Sequence, residues 1–167
     1  MQLLGFVTNY FCNLIMKMKL IEPISRKLMV LGRAYLSVLG DQMEHLDINR
    51  YYYALTVICY YDGQLTQKAL AEKLGKDKSI IVKVIDTLAE KGFVSREINP
   101  ADRRQHLLSV TDKAKKAVPQ IIAAFEAINN RITENISAND MEVFDCVLYK
   151  MKNNLGQISI KNNTNLI

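Results

Sequence analysis

Residues 65–115 read LTQKALAEKLGKDKSIIVKVIDTLAEKGFVSREINPADRRQHLLSVTDKAK, and the spacing of apolar residues inside this stretch changes from helical to strand-like and back. Thr66 can cap a short helix over 66–74 with its hydroxyl, and Gly75 stands where a left-handed residue releases a helix. Asp77 can cap the next helix, 78–91, in which Ile81, Val84, Ile85 and Leu88 form one apolar stripe closed by Gly92. Two short helices joined by a three-residue turn containing glycine make a helix-turn-helix. Beyond Gly92, residues 93–98 and 106–110 are rich in strand-forming side chains and partly alternate. The seven residues between them, Asn99 to Gln105, are polar and carry Arg103 and Arg104. A hairpin with a basic tip directly after a helix-turn-helix is the order of a winged helix.

Helical spacing also brackets this unit. Over 24–43, Leu28, Leu31, Tyr35, Val38 and Leu39 recur at three- and four-residue steps, and over 49–61, Leu55, Ile58 and Cys59 share a face, with Asn49 as the cap and Asp62-Gly63 as the turn that follows. After the hairpin, Thr111 opens a long helix over about 112–135. Its stripe of Val118, Ile121, Ile122, Phe125, Ile128 and Ile132 needs a partner. Pro119 lies inside that stripe and predicts a kink, because it removes the hydrogen bond to the Lys115 carbonyl. A last helix over 137–154 carries Met141, Phe144, Val147, Leu148 and Met151, and the Asn-rich tail from Gly156 is expected to fray. Three parts follow: 1–46, an N-terminal segment and helix; 47–112, the winged helix-turn-helix; and 113–167, C-terminal helices and tail.

The chain has 167 residues, well above the roughly 40 to 80 below which disulfides or metals must supplement a core. Hydrophobic residues make up 49% and charged residues 23%, which excludes a disordered chain, and seven glycines with three prolines are too few for many short strands. The expected fold is mostly α with a small β-hairpin wing. Of the net charge of +5, +4 falls in residues 62–116, where twelve cations face eight acids, so an anion-facing surface belongs there. Cys12, Cys59 and Cys146 are odd in number, widely spaced and form no CxxC pair, which fits a reducing cytoplasm better than a disulfide framework or zinc site. Cys59 and Cys146 fall on apolar faces and read as packing. With only His45 and His106, a His-rich metal sensor is poorly supported, and no constellation for catalysis or cofactor binding is present. Residues 1–20 run apolar through Leu3, Leu4, Phe6, Val7 and Phe11, but the basic Lys17 and Lys19 follow that run rather than precede it. The expectation is therefore an extra packed helix, or a start at Met16 or Met18, rather than a signal peptide, and no stretch reaches the length of a membrane span.

The stretch from Leu65 to Lys115 closely resembles the MarR family of bacterial transcription regulators. The most specific part is the wing, where Pro100, Asp102, Arg103 and Arg104 precede Leu108-Ser109-Val110-Thr111, coupled to Glu90-Lys91-Gly92 at the end of the preceding helix. The resemblance assigns the helices of 1–46 and 113–167 to dimerisation: it implies a homodimer whose N- and C-terminal helices interlock, leaving two lobes to straddle a pseudo-palindromic DNA site. Two-fold symmetry would present two recognition helices to successive major grooves about 34 Å apart.

Opposite the apolar stripe of helix 78–91 lie Ser79, Lys83, Asp86 and Glu90, flanked by Val82. Because the N-terminal half of a recognition helix usually reaches the bases, Ser79, Val82 and Lys83 are the expected readers, with Lys78 nearer the phosphates. Relatives often carry Thr or Ser where this chain has Ile80 and Val82, which leaves the operator sequence open. Arg103 resembles the family's wing arginine, which enters the minor groove, with Arg104 beside it. Asp102 is expected to brace the wing by pairing with an arginine, and Thr66 and Gln67 to clamp a phosphate. By the same resemblance, a pocket between the dimer helices and the lobe takes a small phenolic or apolar ligand. Tyr35, Tyr52 and Tyr53 are its candidates, with interface packing as the other reading. The function expected is a homodimeric DNA-binding regulator, a repressor rather than an activator. The alternatives are a winged helix that binds protein instead of DNA, and a thiol-based sensor using Cys12, as in one branch of the family.

Overall fold

The computed structural model describes residues 21–48 and 50–164, with side-chain surroundings described as far as residue 158. Cys12 and the Asn49 cap lie outside the described residues. Two compact units divide between Arg50 and Tyr51. In the first, α1 (Ile24–Gln42) starts after extended Pro23, and a single 3-10 turn, Glu44–Leu46, follows. Leu39, Met43 and Ile48 are buried, whereas Leu28, Leu31 and Val38 of the expected stripe are exposed.

The second unit begins with α2 (Tyr52–Tyr60), three residues shorter at its start than its spacing predicts. Asp62 then turns the chain: its Oδ1 accepts the Val110 amide at 2.8 Å, and Gly63, at φ 71°, donates its amide to the Leu108 carbonyl. This places β1 (Leu65–Thr66) beside β3 (His106–Val110), which also pairs with β2 (Val94–Ile98). The sheet is antiparallel in the order β1-β3-β2, with Leu65 opposite Leu108, and Val94 to Ile98 opposite Val110 to His106. The third strand was not expected from the sequence.

Between β1 and β2 run α3 (Gln67–Leu74) and α4 (Lys78–Glu90). The Thr66 hydroxyl accepts the Ala69 amide at 3.2 Å, and Gly75, at φ 58°, ends α3 in the left-handed region that a Cβ disfavours. Asp77 does occupy the cap position of α4, but its side chain makes no capping hydrogen bond. Only its backbone carbonyl accepts, from the amides of Ile80 and Ile81. Ile81, Ile85, Leu88, Phe93, Leu70 and Leu108 are fully buried and form the centre of this lobe.

α5 (Asp112–Ile132) starts at Thr111, whose hydroxyl caps it and also donates to the Gly92 carbonyl at 2.7 Å. It continues through Pro119 without a break, and its buried Val118, Ile121, Ala124 and Ile128 pack towards α2. Ser137 opens α6 (Ala138–Thr164) as a cap, accepting the Asp140 amide at 3.1 Å and donating to its carboxylate at 2.7 Å. α6 overruns the predicted end at 154 and passes through Gly156, so the expected frayed tail is helical to Thr164. A glycine in a helix interior costs only about 1 kcal/mol, and no proline follows to stop it. Cys146, expected to pack, is exposed on this helix along with Phe144 and Val147. Among the described residues, no helix is long and apolar enough to cross a membrane.

Candidate nucleic-acid interface

Burial of Ile81, Val84, Ile85 and Leu88 turns the other side of α4 outward, so Lys78, Ser79 and Lys83 are exposed and Val82 is half-buried. Asp86, on the same outward side, pairs with Arg96 of β2. At the other end of α4, the Lys113 ammonium donates to the Lys91 carbonyl at 2.7 Å and stands 4.3 Å from the centre of the Phe93 ring. A cation at a helix C-terminus meets the negative end of the helix dipole. α4 is thus tied to β2 on its exposed face and to the start of α5 at its end.

The wing loop folds around one carboxylate. Oδ1 of Asp102 accepts from the Arg104 amide at 3.1 Å and from Arg104 Nε at 3.3 Å, while Oδ2 accepts from Gln105 Nε2 at 2.9 Å. The Arg104 amide first, then the Gln105 and Arg104 side chains, hold the Asp102 carboxyl below its usual range. The loop is closed by the Gln105 amide on the Asp102 carbonyl and the Asn99 amide on the Gln105 carbonyl. Arg104 is therefore held at its root with its side chain in solvent, while Arg103 makes no ion pair among the described residues.

Three elements meet in a polar cleft of about 340 Å³: Thr66, Gln67 and Lys68 from the start of α3, Lys78 from the start of α4, and Arg104, Gln105 and His106 from the base of the wing. Of the residues singled out in the sequence, Thr66, Gln67, Lys78 and Arg104 come together here. Ser79, Val82, Lys83 and Arg103 do not line it. Lys68 and His106 were missed: neither has a pattern of its own, and only the pairing of β1 with β3 brings them to one place.

A second cavity, apolar and about 440 Å³, opens between α2 and α5, lined by Tyr53, Thr56, Val57, Cys59, Tyr60, Tyr61, Val118 and Ile122. Of the three tyrosines expected in a ligand pocket, Tyr53 lines this cavity. Tyr52 is buried in the core instead, about 100° round its helix from Tyr53, and Tyr35 belongs to the first unit. Tyr60 and Tyr61 stack edge to face at 4.7 Å, and Lys73 lies over the Tyr61 ring. Burial, and then the Asp62 charge, push the Cys59 thiol up, away from the thiolate.

Residues 49–106 match the MarR family model. Among solved structures, a MarR protein from Peptoclostridium difficile is 25% identical, with 87% of this chain and 97% of that one covered at a TM-score of 0.76. A Listeria monocytogenes protein complexed with 26mer DNA is 23% identical over 82% of this chain and 91% of its own, at a TM-score of 0.73. The PcaV transcriptional regulator from Streptomyces coelicolor, in complex with its natural ligand, is 19% identical over 81% and 98%, at a TM-score of 0.72. The likeness extends the shared fold past the helix-turn-helix into the flanking helices. This chain thus has the winged-helix fold of these regulators, and the part of it that matches the MarR family model, residues 49–106, is the part that holds α3, α4 and the wing loop.

Proposed function

We propose that this protein is a sequence-specific DNA-binding regulator, acting in the cytoplasm as a homodimeric repressor on a pseudo-palindromic operator and released by a small apolar or phenolic ligand. One observation carries the reading: the starts of α3 and α4 and the base of the wing turn Lys68, Lys78 and Arg104 into a single cleft, with Lys83 exposed one helical turn beyond Ser79. DNA backbone recognition needs cations spaced over several elements in this way, and a protein-binding module does not. Ser79, Val82 and Lys83 read the major groove, Lys78, Thr66 and Gln67 hold phosphates, and Arg103 enters the minor groove at the tip of a loop braced by Asp102. The DNA complex of the Listeria protein supports the partner, and the ligand complex of PcaV supports ligand control. The cavity between α2 and α5 is the ligand site, and the exposed Phe144 and Val147 of α6 belong to the dimer interface.

The test is selection of bound duplexes from a random DNA pool, read by sequencing. A two-fold motif with half-sites about one helical turn apart is expected. If a folded, dimeric protein enriches nothing at low salt, DNA binding is excluded and the interaction-module reading takes its place. On the selected duplex, Arg103→Ala should weaken binding by about tenfold and flatten its salt dependence. Unchanged affinity at matched salt removes Arg103 from the interface.

A further inference from the structure

The cleft below the wing has an unusual charge balance. Its lining contains three permanent cations, Lys68, Lys78 and Arg104, together with His106, and no carboxylate. Of the acids nearby, Glu72 pairs with Lys68 at 3.9 Å, and Asp77, beside Lys78, makes no side-chain capping bond. Asp102 accepts from Arg104 and Gln105, and Asp86 pairs with Arg96. Glu97 stands in register with Leu107, so it projects from the opposite face of the sheet to His106, whose own partner across the strands is Ile98. In the free protein, then, the lining around the His106 imidazole supplies cations from α3, α4 and the wing loop and no carboxylate.

A phosphate seated in the cleft adds the anion that the lining lacks. It lies among the three cations and supplies the counter-charge that lets the imidazole take a proton and donate to a phosphate oxygen. We propose that His106 is a proton-linked ligand for a DNA backbone phosphate, so that DNA binding takes up a proton at this residue and weakens as pH rises. The inference rests on the DNA-binding reading above and adds its regulation by pH. Because the imidazole holds its proton more tightly in the complex than in the free protein, the extra affinity is present at low pH. It is lost as pH rises through the range in which the bound imidazole titrates.

Backbone contacts dominate non-specific binding, so a mixed-sequence duplex about three helical turns long is a sufficient probe. Dissociation constants are measured by fluorescence anisotropy at fixed ionic strength, from about pH 5.5 to about pH 8, where an unperturbed imidazole titrates. For the unaltered chain, affinity should fall by about three- to tenfold across this range for each linked proton, one per lobe engaged. His106→Gln should remove that dependence and match the unaltered chain at the alkaline end. His106→Lys, which fixes the charge, should bind tightly throughout. Because residue 106 is exposed, both variants should keep the helical circular dichroism of the parent. The same pH slope in His106→Gln overturns the assignment, since it places the linked proton elsewhere, His45 included. Binding with no slope in the unaltered chain overturns the inference and leaves DNA binding standing, whereas no binding at any pH overturns both. If inorganic phosphate alone raises the midpoint of the His106 imidazole titration, read by proton NMR, as far as the duplex does, the cleft is a free-phosphate site and the DNA assignment fails.

Discussion

The helix-turn-helix lobe and the last helix use similar proportions of apolar residues to opposite ends. In the lobe, Ile81, Ile85, Leu88, Phe93 and Leu108 are all fully buried by neighbours within some forty residues, and what remains outside is polar or basic. On α6, Val143, Phe144, Val147 and Leu155 are exposed, although the helix is long and well capped by Ser137. Burial, not propensity, supplies most of the stability of a helix in water, so α6 is a helix whose apolar face is incomplete in a single chain. The lobe is finished by its own sequence, whereas α6 is finished by whatever covers it.

That contrast predicts different failures. The largest effect belongs to Phe93, whose amide donates to the Leu88 carbonyl, whose carbonyl accepts the Thr111 amide, and whose ring lies under Lys113. Phe93→Ala should destabilise the lobe by about 3–5 kcal/mol, the usual range for a fully buried phenylalanine. Urea unfolding followed by circular dichroism measures it, and a loss below about 1 kcal/mol would mean that the lobe is not closed in the way its burial indicates.

On α6 the same chemistry should act on assembly instead. Phe144→Asp combined with Val147→Asp removes two apolar groups from a face that is already in water, so the lobe should keep its unfolding midpoint. Dimerisation should weaken by at least about thirtyfold, because a truncated interface anchor costs about 2 kcal/mol or more. Sedimentation velocity over a concentration series reads the change. Unaltered assembly would take this face out of the dimer interface, and a falling unfolding midpoint would show that α6 packs on its own lobe after all.

Local signals explain why so much of the lobe was legible. Thr66 and Gly75 bound α3 through their own chemistry, Gly92 closes α4, and the alternation either side of 99–105 marks β2 and β3. Each of these is decided within a few residues. β1 was invisible because two residues cannot show a period, and it exists only because Asp62 and Gly63 hold the turn against β3. The Asp86–Arg96 pair and the cleft at His106 were missed for a related reason: helical spacing says which face a residue occupies, not which strand comes to stand beside it. Asp77 shows the converse error, a residue in the right place whose side chain forms no cap. Among the tyrosines, Tyr52 and Tyr53 are adjacent and point about 100° apart on the helix, and here one enters the core while the other lines the cavity.

A smaller effect tests how far the lobe depends on such local chemistry. Thr66→Ala removes the side-chain acceptor for the Ala69 amide at the start of α3 and should cost about 1 kcal/mol. Thr66 also lines the basic cleft, so the stability change and the change in DNA affinity are read on the same protein. Loss of affinity with no loss of stability would assign Thr66 to the phosphate rather than to the helix. Loss of stability alone would do the reverse.

The smallest expected effect comes from the pair that joins the recognition helix to the wing. Asp86 and Arg96 are both partly solvated, with 58% and 30% of their side chains exposed, so solvent and salt screen most of their attraction. Asp86→Ala should therefore lower stability by less than about 1 kcal/mol, and by less still at high salt. Its consequence for DNA runs the other way. Removing Asp86 deletes a negative charge from the outward side of α4 and releases the Arg96 guanidinium, and both changes favour a polyanion. If the pair contributes only charge, Asp86→Ala binds a duplex as well as the parent or better, with a steeper salt dependence. If it sets the angle between recognition helix and wing, the gain in charge cannot compensate and affinity falls. The finished region would then carry a dependence on geometry between elements that its dense core alone does not provide.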